Sequence, residues 1–284
     1  MRVVITGSTG RLGRALVAAS RDAGHDVTGL ARSAPDPCDV SDPAAVRPRV
    51  AAAAPDLVIH AAGAADVDAC ERDPDLARRL NVDATGQVAD AAAAVGAHLV
   101  YVSTNHVFAG TADRPYREDD EPGPVSVYGA TKLAGERRAG PGATIVRTAW
   151  LWSPADGGIV PAIVAAARAG GPLRFATDEV AQPTAAADLA PVLLRLGEAR
   201  AAGCFHAVGQ GAVSSFDLAR SILAELGDDP DRVEPIEGAA LPGRVAARPR
   251  NGALDTARTV RAGGGLPHHL EPIRALLRGR RGPA

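Results

Sequence analysis

The sequence predicts an α/β protein: a doubly wound parallel sheet of Rossmann-like type with a smaller C-terminal α/β substrate-binding lobe. Two observations carry this. Strand and helix patterns alternate through the first hundred residues, as expected for a parallel sheet covered by helices on both faces. A glycine-rich turn separates the first strand from the first helix, the position at which such folds bind phosphate.

Taken in order, Arg2 to Thr6 reads as a short buried strand around Val3-Val4-Ile5. Leu12, Leu16 and Val17 then recur at helical spacing up to Gly24. Asp26 to Leu30 is the second strand, Ala44 to Ala54 a helix, and Leu57-Val58-Ile59 the third strand. A single helix is expected from about Pro74 to Val95, with His98 to Ser103 as the fourth strand. Val127 to Ala139 reads as helix and Thr144 to Thr148 as strand. Beyond Trp150 the rhythm loosens. Helices are expected near Ile159–Ala169, Ala186–Leu196, Ser215–Leu226 and His269–Leu277, and strands near Leu173–Ala176, Cys204–Val208 and Val233–Ile236. Residues 1–150 therefore read as mainly dinucleotide-binding, and 151–284 as mainly a substrate lobe with some segments returning to the cofactor domain.

Gly7, Gly10 and Gly13 form the turn. Glycine permits close backbone approach, and the helix beginning at Arg11-Leu12 offers unpaired N–H groups to a pyrophosphate. The second strand ends at Leu30-Ala31-Arg32-Ser33 without the carboxylate that would bind an unphosphorylated adenine ribose. Arg32, with Arg11 as a second cation, is placed to face a ribose phosphate. This favours NADPH, with NADH use and a merely solvated Arg32 left open. Asp39-Val40 is placed at the adenine, and Ala61 and Ala62, after the third strand, at the cofactor.

Tyr128 and Lys132 are four residues apart, so they share one helix face. An ammonium beside a phenol favours phenolate and lowers its pKa. Tyr128 is then a proton donor to the oxygen formed as hydride reaches a carbonyl carbon, and Lys132 is also placed to hold the nicotinamide ribose, so both residues lie at the cofactor. Thr104, after the fourth strand, is positioned to hydrogen-bond that oxygen. No metal is required.

Composition excludes several other classes. Net charge is −2, from 31 basic and 33 acidic residues, which gives no polyanion-binding surface and no nucleic-acid partner. Arg274, Arg278, Arg280 and Arg281 read as the solvated face and tail of a last helix, with a nucleic-acid patch as the other reading. Cys38, Cys70 and Cys204 are odd in number and widely spaced, against a disulfide framework or zinc site and for a reducing compartment. Glycines interrupt any N-terminal leader, and no apolar run reaches the ~18 residues of a membrane span. A cytoplasmic location is the expectation.

The stretches Gly7-Ser-Thr-Gly-Arg-Leu-Gly13, Val67-Asp-Ala-Cys-Glu71, Asn81-Val-Asp-Ala-Thr85, Ser103-Thr-Asn-His-Val-Phe108, Tyr128-Gly-Ala-Thr-Lys132, Arg147-Thr-Ala-Trp150 and Arg248-Pro-Arg-Asn251 together resemble the extended short-chain dehydrogenase/reductases. More closely, they are similar to the dTDP-4-dehydrorhamnose reductase family. The resemblance implies reduction of a 4-keto-6-deoxyhexose carried on a deoxythymidine diphosphate, with Thr104, Tyr128 and Lys132 at the chemistry. It also implies that Trp150 packs on the sugar, an aromatic face suiting the apolar side of a pyranose; Trp152 is the alternative. Arg248 and Asn251 are assigned to the nucleotide-sugar end, with an inter-lobe ion pair as the other reading of Arg248. Where the family has Asp-Tyr, this chain has Asn105-His106, also placed at the substrate. Some relatives form magnesium-linked dimers. A homodimer is left open here, and no dependable metal-ligand set is visible. The competing function from another class is a non-catalytic NADP-binding regulatory subunit resembling that of methionine adenosyltransferase.

Overall fold

The computed structural model describes residues 1–171 and 173–279. Arg280 and Arg281 lie outside the described residues. The first half runs β1 (Arg2–Thr6), α1 (Arg11–Asp22), β2 (Asp26–Leu30), α2 (Pro43–Ala53), β3 (Leu57–His60), α3 (Val67–Arg72), α4 (Pro74–Arg78), a π turn (Arg79–Asp83), α5 (Ala84–Ala94), β4 (His98–Thr104), α6 (Val127–Ala139) and β5 (Thr144–Thr148). The second half adds β6 (Leu151–Trp152), α7 (Ile159–Ala169), β7 (Leu173–Ala176), β8 (Val180–Ala181), β9 (Thr184–Ala185), α8 (Ala186–Glu198), β10 (Gly203–His206), β11 (Val213–Ser214), α9 (Ser215–Leu226), β12 (Val233–Ile236), α10 (Ala257–Arg261) and α11 (Leu270–Gly279).

Six strands form one parallel sheet in the order β10-β5-β4-β3-β1-β2. The side-chain period of two divides the apolar strands between two cores. Val3, Ile5, Leu57, Ile59, Val100 and Val146 face α1 and α8. Val4, Val58, Leu99, Tyr101 and Ile145 face α2 and α5. The order of connection reverses between β1 and β3, which opens a crevice beyond their carboxyl ends, where ligands bind in open α/β sheets. The returning strand expected from the C-terminal half is β10.

The remaining strands form three two-stranded ribbons, β12 with β7, β11 with β8 and β6 with β9. Around Trp152, α7, α9, α11 and the β7–β12 pair enclose a separate apolar core. Among the described residues, no helix is long and apolar enough to cross a membrane.

One expected element differs. The helix expected over Pro74–Val95 is three pieces, because the π turn swings Asn81 inward. The Asn81 side-chain oxygen accepts from the Ala64 amide at 2.9 Å, and its nitrogen donates to the Ala64 carbonyl and Thr131 hydroxyl, both at 3.1 Å. The π turn thus anchors the loop after β3, and such bulges cluster at functional positions.

Gly13 is fixed by packing. A Cβ there would lie 2.7 Å from both the Gly7 carbonyl carbon and the Ser8 Cα. Gly13→Ala is expected to cost roughly 1–3 kcal/mol as overpacking, read as a lower urea midpoint. An unchanged midpoint would mean the turn and α1 are not held this tightly.

Candidate active site

Loops at the carboxyl ends of β1, β3, β4 and β5 converge on a cavity of about 480 Å³. Gly7, with φ +68°, occupies the left-handed region, and a Cβ on it would meet the Ala62 nitrogen at 2.8 Å. Only glycine lets the two loops approach this closely. Gly10 caps α1 without any side-chain hydrogen bond, so the first-turn amides stay open on the side lined by Arg11, Leu12 and Gly13. Uncapped amides, a positive helix end and a bare backbone cradle fit a dinucleotide pyrophosphate.

A second cavity of about 230 Å³ adjoins the first, and Gly7, Gly10, Ala61 and Ala62 line both. Arg32, Ser33, Asp39 and Val40 line this smaller space. Asp39 is tied to its own turn, accepting from the Ser41 amide at 2.9 Å and hydroxyl at 2.8 Å. Those bonds hold its carboxyl below the usual range. Arg11 does not join Arg32. It lines the larger cavity and donates through Nε and Nη2 to the Asp156 carbonyl, both at 3.3 Å.

Thr104, Tyr128 and Lys132 meet on one wall of the large cavity. Ser126 caps α6 by accepting from the Gly129 amide at 3.2 Å. Gly129 is packed so closely that a Cβ would strike the backbone of His106. This contact seats the start of α6 on the turn after β4 and brings Tyr128 to Thr104. Lys132 reaches inward, its Nζ donating to the Val102 carbonyl at 2.7 Å and lying 4.1 Å from the Tyr101 ring centroid. Burial lowers the lysine to about 7, opposed by the carboxylate of Glu136 and by Cys70.

The expected lowering of the Tyr128 pKa by Lys132 is not what the structure gives. Burial pushes the phenol up to about 12, and the opposing influence is its hydrogen-bond contact with Thr104. The ammonium is instead engaged by the β4 carbonyl. A phenol held protonated is nonetheless the form a proton donor requires.

A third cavity, about 370 Å³, opens beyond this wall. Val67, Asn105, His106 and Trp150 line both it and the large cavity. Trp150 has φ +37°, a strained conformation for a bulky residue, which turns its indole into the junction. Trp152 is 1% exposed and belongs to the separate core beside α7, α9 and α11, so Trp150 is the tryptophan at the cavities. His106 packs edge-on against Tyr128, with ring centroids 5.3 Å apart. Burial lowers its pKa to about 4, so the imidazole is neutral at ordinary pH. Asn105 donates to the Gly252 carbonyl at 3.0 Å.

Arg248 lines the third cavity but is also paired with Asp68, at 2.6 Å and 3.2 Å through its two terminal nitrogens. Asn251 is not brought to the cavities. Its nitrogen donates to the Ala112 and Arg114 carbonyls at 2.8 Å and 2.9 Å, and its oxygen accepts from the Ala253 amide at 3.0 Å. Both amide hydrogens of Asn251 thus hold the loop around residue 112.

The sequence reading missed Phe175, Glu179 and Arg244, which also line the third cavity. Arg244 is ion-paired with Glu179. Arg244 and Arg248 are four residues apart in an otherwise apolar stretch, a signal that was readable; Phe175, on a short strand, carried none.

A glycine cradle at the sheet crevice, a tyrosine–lysine helix beside it and a second cleft behind define a short-chain dehydrogenase/reductase of the extended kind. The chain belongs to the family described as the RmlD substrate binding domain, which matches residues 1–278. A dTDP-4-dehydrorhamnose reductase of Mycolicibacterium smegmatis is 40% identical over 96% of this chain and 82% of its own length. A crystal structure of a dTDP-4-dehydrorhamnose reductase from Clostridium acetobutylicum superposes with a TM-score of 0.90 at 32% identity, covering 99% of this chain and 100% of that one. The Bacillus anthracis enzyme of the same name, in complex with NADP, has a TM-score of 0.90 at 29% identity, covering 98% and 99%.

The Asp68–Arg248 pair has a pH signature. Hydrogen bonds from Arg248 first, and from the Ala246 and Val245 amides, hold the Asp68 carboxyl well below its ordinary range. A carboxyl depressed in the folded state stabilises above its unfolded pKa of ~3.9 and loses that contribution as pH falls toward the folded value. The stability gap between wild type and Asp68→Asn should therefore be constant above pH ~5 and shrink below pH ~4. Urea unfolding across pH measures this; a gap independent of pH would sink the assignment.

Proposed function

We propose that this chain reduces the 4-keto group of a dTDP-linked 6-deoxyhexose, dTDP-4-dehydrorhamnose or a related sugar, with NADPH preferred. The observation that carries this reading is the meeting of Thr104, Tyr128 and Lys132 where the glycine-cradled cavity joins the cleft lined by Trp150 and His106. The names of its relatives support the same substrate class. The six-stranded sheet would serve the cofactor, and much of the chain after residue 150 the sugar nucleotide.

Gly7, Gly10, Leu12 and Gly13 would hold the pyrophosphate, and Ala61 and Ala62 would flank it. Arg32 would face the ribose phosphate. The nicotinamide, when bound, supplies hydride to the carbonyl carbon. Tyr128 gives its phenolic proton to the carbonyl oxygen, and Thr104 donates a hydrogen bond to that oxygen as negative charge develops. Lys132 would hold the nicotinamide ribose through its ammonium form. As pH rises through about 7 that form is lost, so the activity should fall on the basic side. Trp150 would cover the apolar sugar face, and neutral His106 could both donate to and accept from a sugar hydroxyl.

Tyr128→Phe should depress turnover about 100-fold or more, the lower range of general acid catalysis, with NADPH affinity changed little. Arg32→Ala should weaken NADPH about tenfold or more, the loss of a charged hydrogen bond, and NADH much less. Both are read by titration of cofactor fluorescence and by reduction of a panel of 4-keto nucleotide sugars. Equal loss of both cofactors would remove the phosphate role. A wild-type protein that binds cofactor yet reduces none of the panel would turn the reading toward the regulatory subunit.

A further inference from the structure

We propose that Glu136, locked by Arg147, is a positioning residue for the Tyr128–Lys132 pair: it clamps the end of β4 to α6 and sets a fixed negative charge one helical turn behind the lysine. The inference rests on the reductase reading above and adds a residue to it.

The geometry is specific. Glu136 Oε1 accepts from the Ser103 hydroxyl at 2.5 Å and from Arg147 Nε at 2.9 Å, and Oε2 accepts from Arg147 Nη2 at 2.8 Å. The Arg147 and Glu136 side chains are only 5% and 9% exposed. Ser103 lies between Val102, whose carbonyl holds Lys132, and Thr104. One carboxylate thus ties down the middle residue of the three that present the lysine and the threonine. Arg147 is held from its other side, its guanidinium 4.9 Å from the Phe108 ring centroid, and Phe108 stacks on Tyr116 at 4.2 Å.

A surface carboxylate one turn from a lysine contributes little. This one is dry and cannot swing away, because both its oxygens are engaged. A buried ion pair is weak evidence for stability as such, since an apolar pair of similar volume often serves as well. Its placement against the site residues is what demands another explanation. The groups facing Lys132 are Tyr128 and Glu136 on its own helix, Tyr101 and His60 on the sheet, and Cys70 on α3. Among them Glu136 exerts the largest influence that keeps the ammonium charged against burial. Removing its charge should let the lysine lose its proton at lower pH.

The test compares wild type, Glu136→Gln, Glu136→Asp and the double variant Glu136→Leu/Arg147→Met, with Tyr128→Phe in parallel. Glu136→Gln is expected to lower kcat tenfold or more and to change KM less than threefold. It should also move the basic limb of the kcat/KM profile down by about one pH unit, the sign expected when a nearby opposite charge is removed. Glu136→Asp should recover part of the limb. The double variant leaves no unpaired buried charge, so it keeps the question open to measurement if Glu136→Gln does not fold; it should show the same displaced limb. A folded variant lacking the carboxylate, with wild-type kcat and an unmoved limb, would overturn the proposal. If Tyr128→Phe also turned over normally, the reductase reading would fall with it; if Tyr128→Phe were inactive, only the role of Glu136 would be lost.

Discussion

An ammonium buried against a strand carbonyl is the constraint on which the site depends. Lys132 can lie 2.7 Å from the Val102 carbonyl only because α6 packs closely against β4 and the turn after it. The glycines make that approach possible: a Cβ at Gly135 would collide with the Tyr101 hydroxyl and the Asn81 carbonyl, and one at Gly129 with His106. The same closeness removes water from the lysine. Desolvation then brings its proton affinity near neutrality, where small changes in surrounding charge alter its protonation. In an open groove this lysine would remain charged at any working pH and would respond to nothing.

The sheet supplies one half of the site and the junction behind it supplies the other. β5 ends at Thr148, and within four residues the chain has turned through the strained Trp150 into the separate core at Trp152. Strain of this kind costs of order 1–3 kcal/mol and persists where the surroundings over-determine it. Here the Trp150 carbonyl receives the Thr184 amide at 3.2 Å, and Trp152 is sealed among α7, α9 and α11. The indole is therefore fixed from both sides at the boundary between two cavities, where a ligand spanning them must pass.

Much of this was legible in the sequence. The strands Val3-Val4-Ile5 and Leu57-Val58-Ile59 and the spacings of Gly7-Gly10-Gly13 and Tyr128-Lys132 are local patterns, and local patterns survive folding. What escaped was set by contacts distant in sequence. The π turn at Asn81 forms because its amide finds Ala64 and Thr131, which no periodicity records. Asn251 carries a polar side chain in a suggestive motif, yet the loop around Ala112 claims it. Glu136 stands one turn beyond Lys132 and could have been singled out, but a glutamate at that spacing is usually a solvated partner. Only the arrival of Arg147 from β5 distinguishes it.

The pair Asn105-His106 shows how a local change is underwritten by a distant one. Gly252 approaches so closely that a Cβ there would strike the Asn105 side chain, and its carbonyl accepts from Asn105 Nδ2 at 3.0 Å. A carboxylate at residue 105 would set acceptor against acceptor in a dry pocket, which is costly; the amide donates instead. Its oxygen takes the Thr104 hydroxyl at 3.3 Å, a long bond, so that hydroxyl can turn toward a carbonyl oxygen at little cost. His106 is uncharged at ordinary pH. Residues 105 and 106 therefore add no anion beside Tyr128 to oppose charge that would develop on a reacting oxygen. The positive groups Arg244 and Arg248 stand farther back in the cleft, each matched by its own carboxylate, so a diphosphate entering there must compete with Glu179 and Asp68 rather than simply find free cations. On the proposed reading, the charged end of the ligand and its reacting end would thus be separated in space.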